Sequence, residues 1–303
     1  MDVFIPPGLN GQVPMPIFGF EEQKKMFKQG DGELHAGAYL FYGQQNIGKM
    51  TFAVDLAYKL IGQKNLDKNQ SSANLLVINC GDSKSGQTIS IDNIREINRF
   101  LSFAPSGSKF KVVLIDDAHL MQEPAQNALL KLMEEPPDSA FIILVSHKHE
   151  SILPTILSRC RKIYFPPHNE KTIKKIIDDA RVTLTDDQIT FLLEFSSGKS
   201  GLILKILQDQ SFKKIKETIK EFYDIKNMTM AERIKFASKF AEQDNETMQG
   251  KILYWILYLR SHILKEDRGH SLRTIKNLLN LHYVLSMPRF NHRLAIENFA
   301  IQL

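Results

Sequence analysis

The chain has few cysteines and no long apolar run, and each absence excludes a class of protein. Its 303 residues include two cysteines, Cys80 and Cys160, which are too few for a disulfide framework or a four-cysteine zinc site. No run of about 18 apolar residues is present, so the sequence predicts no membrane-spanning helix and no membrane partner. The first residues lack the basic start and apolar stretch of a signal peptide, and we therefore expect a cytoplasmic protein.

The chain also has little excess charge, and that excess lies in its second part. Lysine and arginine number 17 against 17 acidic residues in residues 1–167, and 22 against 17 in residues 168–303. A basic balance favours DNA binding because it releases counterions from the phosphates. Here the basic residues are scattered along helical patterns, which favours a solvated face over a DNA-binding surface.

The most informative stretch is an apolar run that ends in two acids. Residues 112–115 (VVLI) are apolar and bounded by charge, which is typical of a strand buried on both faces of a parallel sheet. Asp116 and Asp117 follow where that strand ends, at the edge where ligands bind in open α/β sheets. The pair indicates a metal-phosphate site. The alternative is a strand followed by a solvated acidic loop.

A glycine-rich loop upstream favours the phosphate site. Residues 43–49 (GQQNIGK) follow an apolar strand pattern at 38–42 and precede a helical pattern at 51–61. Backbone N–H groups of such a loop, from Gly43 to Gly48, can surround phosphates, and Lys49 reaches the outer ones. The loop and the acidic strand end together predict a nucleotide-binding core of the P-loop type.

The order of elements predicts an α/β domain followed by helices. Further buried strands are predicted at 75–78 and 141–145, and strands alternate with helices through residue 165, which is the pattern of a parallel sheet with helices on both faces. The prolines at 166 and 167 mark a boundary. Beyond it only helical patterns occur, with two apolar stripes that are typical of a core or a subunit seam: Ile252, Trp255, Ile256, Leu259 and Ile263, and Leu278, Leu281 and Leu285.

These motifs, together with residues 126–137 (QNALLKLMEEPP) and 153–160 (LPTILSRC), resemble the clamp-loader branch of the AAA+ ATPases. The resemblance covers nearly the whole chain. It implies an α/β nucleotide-binding-like domain at residues 1–166, a small helical lid at 167–211, and a helical collar for oligomerisation at 212–303. Clamp-loader ATPase subunits of bacteria often carry a four-cysteine zinc module, which this chain lacks, so we expect no zinc.

The nucleotide site departs from the family pattern at three positions. The P-loop lysine is followed by Met50 in place of the Ser or Thr whose hydroxyl binds Mg²⁺, and a thioether is a poor ligand for a hard cation. Thr51 comes one residue too late. Asp117 replaces a glutamate that orients the attacking water, and Leu202 replaces an arginine that contacts the γ-phosphate. We expect no ATP hydrolysis by this chain and no required cofactor, while ATP or phosphate binding through Lys49 stays open.

Arg159 is a different case. In the resembling family the arginine of the motif Ser158-Arg159-Cys160 projects into the ATP site of the adjacent subunit as an arginine finger. The motif is complete here. The alternative is an arginine that caps a helix or pairs with a surface acid.

Two other polar residues belong near the predicted site. Ser146, at the end of a predicted strand, occupies the place where the family has a polar sensor residue. His119 lies beside the two acids, but a lone histidine without a second histidine or a cysteine nearby is a poor metal ligand set, so we expect no metal.

The resemblance predicts a clamp-loader subunit without autonomous enzymatic activity, within a DNA polymerase III assembly. It implies ATPase subunits and a delta subunit as partners, with the sliding clamp and primer-template DNA reached through the complex. One alternative is an ATP-hydrolysing motor subunit of the same machine, favoured by the complete loop and Lys49. The second is a DNA-binding module outside replication, although no compact basic helix with interleaved aromatics supports it.

Overall fold

A computed structural model describes residues 17–27, 35–62, 73–80, 88–180, 182–209, 211–262, 268–287 and 289–303. The lead-in at 1–16, the loop at 30–33 and the polar segment at 63–72, which the sequence predicts as irregular, lie outside these ranges. No helix within them is long and apolar enough to cross a membrane. The chain forms two compact units: unit 1 runs to Ile176 and includes Gly198–Gly201, and unit 2 comprises Ile177–Ser197 and Leu202–Leu303. The division into three domains stays a prediction.

Unit 1 contains a parallel sheet with the strand order β2-β3-β4-β1-β5. Its strands are β1 (Gly37–Tyr42), β2 (Leu75–Ile78), β3 (Lys111–Ile115), β4 (Ala140–Ser146) and β5 (Arg161–Tyr164). The predicted strands and their parallel pairing are thereby confirmed. Because β3 and β4 are neighbours in register, with Ile115 opposite Leu144, their carboxyl ends meet at one edge.

Alternate residues of the central strands belong to two buried apolar clusters, one on each face of the sheet. Phe41, Leu114 and Ile143 pack on one face, and Leu40, Ile115 and Leu144 on the other. A strand with both faces covered needs an unbroken apolar sequence, which is why these segments could be recognised without alternation. The helices that cover them are α1 (Glu21–Met26), α2 (Lys49–Ile61), α3 (Ile91–Leu101), α4 (Glu123–Glu134) and α5 (Pro154–Arg159).

Helix α3 begins with a capping box. Ser90 is its N-cap residue, and the Ser90 backbone N–H donates to Asn93 Oδ1 at 2.9 Å. This hydrogen bond provides a partner for one of the backbone N–H groups that have no acceptor within the helix at its start.

The secondary-structure elements of unit 2 are all helices within the described residues. Helices α6 (Glu170–Asp179) and α8 (Ser200–Gln208) have residues in both units, and the remaining helices are α7 (Asp186–Ser196), α9 (Phe212–Asn227), α10 (Met230–Phe240), α11 (Asn245–His262), α12 (Arg268–Leu285) and α13 (His292–Gln302). Both predicted stripes are buried in one core cluster, except Ile263, which lies outside the described residues. Trp255 anchors that core by donating its indole N–H to Thr218 O at 2.7 Å.

Candidate functional site

The phosphate-type loop connects β1 to α2, and its first residue must be glycine. Gly43 has φ +146°, and a Cβ at this position would lie 2.3 Å from the carbonyl oxygen of Phe165. Phe165 is fixed there because its N–H donates to Tyr42 O at 2.8 Å. The entrance of the loop is therefore closely packed against the segment that follows β5. Gly48, at φ +95°, ends the loop as the N-cap residue of α2.

Lys49 is directed into its own loop. Its Nζ donates to Gly43 O at 3.0 Å and to Gln44 O at 2.6 Å, and the residue is only 6% exposed. Burial lowers the pKa of Lys49 from 10.5 to about 8, against the attraction of the carboxylates of Asp116 and Asp117. The ammonium that would bind phosphate oxygens is thus held by backbone carbonyls.

The first turn of α2 does not fit a magnesium–nucleotide complex. Met50 packs against the apolar cluster that contains Phe41, and Thr51 is exposed. Neither residue offers a hydroxyl beside Lys49 in the position that Mg²⁺ requires.

The loop is also held by residues that follow the sheet much later in the chain. Gly201 N–H donates to Asn46 O at 2.8 Å, and Ser200 Oγ donates to Ile47 O at 3.1 Å. His168 Nε2 lies 3.1 Å from the same Ile47 oxygen. A Cβ on Gly201 would lie 3.0 Å from Asn46 O, so this contact is close. These bonds fix the loop backbone. The next residue, Leu202, is buried in α8 and carries no charge.

Asp116 and Asp117 lie at the end of β3, as predicted, but in different environments. Burial, and then the neighbouring Asp117 carboxylate, raise the pKa of Asp116 to about 6. A hydrogen bond with His147 lowers the pKa of Asp117. Asp117 adopts φ 43° and ψ 47°, a left-handed conformation that costs a non-glycine residue of order 1–3 kcal/mol. Its N–H donates to Asp116 Oδ1 at 2.9 Å.

Two histidines accompany Asp117, and the sequence reasoning recognised neither as part of a group. His147 Nδ1 lies 3.3 Å and His119 Nδ1 3.8 Å from Asp117 Oδ1, and the two rings are 4.2 Å apart. His119 therefore does have a second histidine beside it, contrary to the prediction from sequence. Burial, followed by the charge of His147, lowers the pKa of His119 to about 4. The sequence did contain a signal for this group. His147 comes directly after strand β4 and Asp117 comes just after β3, and the carboxyl ends of adjacent parallel strands lie together.

Ser146, the predicted sensor residue, is buried at the end of β4. Its hydroxyl accepts from Lys148 N–H at 3.1 Å and lies 3.4 Å from His119 Nδ1. These contacts place Ser146 beside the histidine pair.

Arg159 lies at the end of helix α5, with its side chain 38% exposed. Nη2 donates to Glu134 Oε1 at 2.9 Å, and Nη1 donates to Thr155 O at 3.1 Å. Glu134 is itself exposed, and an ion pair of this kind contributes about 0–1 kcal/mol to stability. The guanidinium therefore has a local partner that it can leave at small cost. Cys160 follows it, and burial raises the pKa of that thiol to about 12, so Cys160 is an inert residue of the motif.

Comparison with known proteins places the first half of the chain. Residues 21–169 match the family model described as "DNA polymerase III, delta subunit". The DNA polymerase III subunit delta' of Escherichia coli is 33% identical over 129 residues, which are 43% of this chain and 38% of the relative. The subunit tau of Bacillus subtilis is 29% identical over 188 residues, 56% of this chain and 32% of the relative. The chain thus spans well under half the length of these curated relatives.

A solved structure extends the likeness of fold to most of the chain. A DNA polymerase III gamma subunit-related protein from Thermotoga maritima superposes with a TM-score of 0.51 at 18% identity, over 92% of this chain and 96% of that one. Such low identity supports the fold alone. The family model, however, matches the part of the chain that holds the phosphate loop, the acidic end of β3 and Arg159. Residues 21–169 are accordingly similar to the clamp-loader proteins of the AAA+ class.

Proposed function

We propose that this chain is a non-hydrolysing subunit of a DNA polymerase III clamp loader, similar to delta-prime, and that it supplies Arg159 to the ATP site of a neighbouring subunit. Its partners are the ATPase subunits and the delta subunit. It reaches the sliding clamp and primer-template DNA through the assembled complex. The observation that carries the proposal is the contrast between an inward, carbonyl-bound Lys49 and an outward Arg159.

The absence of hydrolysis is supported by the surroundings of the loop. Lys49 is bound to the carbonyls of Gly43 and Gln44, and Met50 is packed into the apolar cluster. Asp117, at the place of the water-orienting acid, is engaged with His147. In a working P-loop ATPase the loop lysine binds the phosphates, a Ser or Thr hydroxyl binds the metal ion, and an acidic residue lies beside the attacking water. Here each group has another partner, so the chain requires no nucleotide cofactor for its role.

The trans-acting role is supported by the accessibility of Arg159. An arginine finger must leave its own subunit and meet the charge that develops on a transferred phosphoryl group. The side chain is at a helix end and is more than a third exposed, and its partners within the described ranges are an exposed carboxylate and one carbonyl. Its planar guanidinium offers paired donors that match phosphate oxygens.

The test is DNA-stimulated ATP turnover by the assembled complex, with wild-type chain or with Arg159→Ala. We expect assembly to persist and turnover to fall by roughly tenfold or more, as loss of a finger arginine allows. The matched control is Glu134→Ala, which removes the local partner of Arg159 but leaves the guanidinium in place. That variant should retain turnover within about twofold of wild type, because an exposed ion pair contributes little.

Equal turnover with Arg159→Ala would mean that the arginine is structural and the proposed role is wrong. An equal loss in both variants would point to the ion pair and not to a finger. Steady ATP hydrolysis by the isolated chain would favour the motor-subunit alternative. Salt-dependent binding of duplex DNA by the isolated chain, without assembly, would favour a DNA-binding module outside replication.

A further inference from the structure

Three potential metal ligands converge at the edge of the sheet in unit 1. Asp117 follows β3, His119 lies in the short 3₁₀ turn Ala118–Leu120, and His147 is the first residue after β4. Since β3 and β4 are adjacent parallel strands, these residues lie side by side although about 30 positions separate them in sequence. Each offers one ligand atom, and the three atoms lie within 4.8 Å of one another.

The distances are close to those that a tetrahedral metal ion requires. Bonds of about 2.0–2.1 Å from zinc to nitrogen or oxygen place neighbouring ligand atoms about 3.3 Å apart. Asp117 Oδ1 is 3.3 Å from His147 Nδ1 and 3.8 Å from His119 Nδ1. The ligand atoms of His119 and His147 lie within 4.8 Å of each other, so binding of one ion draws these side chains closer together.

We propose that Asp117, His119 and His147 form a binding site for a zinc-class divalent cation, with a fourth position open to solvent. Two imidazoles and one carboxylate favour zinc or a similar first-row metal over Mg²⁺, which prefers oxygen ligands. The side chains of His119 and His147 are 6% and 18% exposed, so the histidines form the inner wall, and the more exposed Asp117 forms the outer one.

The surroundings support a site with limited affinity and a structural effect. Ser146 Oγ lies 3.4 Å from His119 Nδ1, the same nitrogen that faces Asp117, so an ion bound there has to displace this contact. The positive charges of Lys49 and Lys148 lie near enough to His119 to repel a bound cation. The affinity of this site for a metal ion is therefore lower than that of a dedicated metal site. A bound ion joins the segments that follow β3 and β4, and it thereby stabilises unit 1. This replaces our expectation from sequence that the chain holds no metal, but it is unrelated to a four-cysteine zinc module.

The experiment is calorimetric titration of the full, tag-free chain with ZnCl₂, together with thermal melts. We expect one zinc per chain and a rise in melting temperature of roughly 5 °C at about 100-fold excess over the dissociation constant. Co²⁺ in place of Zn²⁺ should give the absorption bands of a tetrahedral site. Neither Arg159 nor assembly with other subunits enters this test, so its result is independent of the proposed function.

Variants distinguish the proposed site from adventitious binding. His147→Ala and, separately, Asp117→Asn should weaken zinc binding by roughly a hundredfold or more, because each removes one of three protein ligands. The matched control is His149→Ala, a partly exposed histidine two residues away and outside the group, which should bind zinc as wild type does. Circular dichroism without metal verifies that each variant is folded. Absence of zinc binding by the wild type, or unchanged binding by both site variants, overturns the inference.

Discussion

Lys49 and Arg159 are two cations of the same compact unit, and they are used in opposite ways. Lys49 is 6% exposed and donates to two carbonyls of the loop in which it would bind phosphate. Arg159 is 38% exposed at a helix end and holds a carboxylate that is itself exposed. The charge of Lys49 is bound by carbonyl groups of its own chain. The other is available to a neighbouring molecule at little cost, as the proposed function requires.

The difference shows that a motif must be judged by the partners of its residues as well as by its presence. The glycine loop is complete in sequence, yet its lysine is bound by the loop itself, and the residue after the lysine packs into the core. The Ser158-Arg159-Cys160 motif is equally complete, and its arginine remains accessible. Extracting a buried, hydrogen-bonded ammonium costs more free energy than breaking an exposed ion pair.

The contrast between Lys49 and Arg159 is tested most strongly by changing each residue separately in the assembled complex. Arg159→Lys should lower DNA-stimulated ATP turnover by roughly tenfold or more, because a point charge cannot reproduce the planar donor pair of a guanidinium. Lys49→Ala, measured in the same assay, should leave turnover within about twofold of wild type. A loss with Lys49→Ala as large as that with Arg159→Lys, in a complex that still assembles, would remove the distinction.

A second prediction concerns the closed entrance of the loop. Gly43→Ala should lower the free energy of unfolding by about 2–4 kcal/mol, since its Cβ would lie 2.3 Å from Phe165 O and its φ is unfavourable for alanine. The matched control is Gly37→Ala, at the other end of β1, where φ is +132° and no atom lies within 4 Å. Chemical denaturation of both variants gives the difference. Equal losses would show that the contact with Phe165 does not constrain the loop.

The third and smallest effect is a pH dependence that belongs to Lys49. Its pKa is about 8 in the folded chain and 10.5 as the reference value, so between these pH values the unfolded chain binds more protons. The free energy of unfolding of the wild type should therefore rise with pH relative to Lys49→Met, by on the order of 2 kcal/mol between pH 8 and 10.5. Urea denaturation at several pH values measures it. Parallel profiles for the two proteins would mean that Lys49 is not a buried cation.

Much of the fold was predictable because the central strands are buried on both faces. Residues 112–115 and 141–145 could be recognised as strands from apolar runs alone. The positions of Asp116 and Asp117 at the sheet edge followed from the same reasoning. The strands and the acids at the sheet edge could be predicted because each depends on a short, continuous stretch of sequence.

The features that were not predicted depend on pairs of residues far apart in the chain. His119 and His147 meet only because β3 lies beside β4, and the strand order is not encoded in either segment alone. The bonds from Ser200 and Gly201 to the phosphate loop join residues more than 150 positions apart. The hydrogen bonds of Lys49 to its own loop depend on rotamers and not on residue type. Apolar patterns carry no information about such contacts.

The strand order also has a consequence for synthesis of the chain. Strand β1 is made first, but its two neighbours are β4 and β5, so both of its edges stay unpaired until residues 140–164 have been made. The contacts of Ser200 and Gly201 with the loop after β1 come later still. Non-local pairing of this kind slows folding and leaves strand edges exposed to other chains. A nascent chain that stops short of about residue 165 therefore carries an open apolar sheet, and it is the species on which chaperones should act.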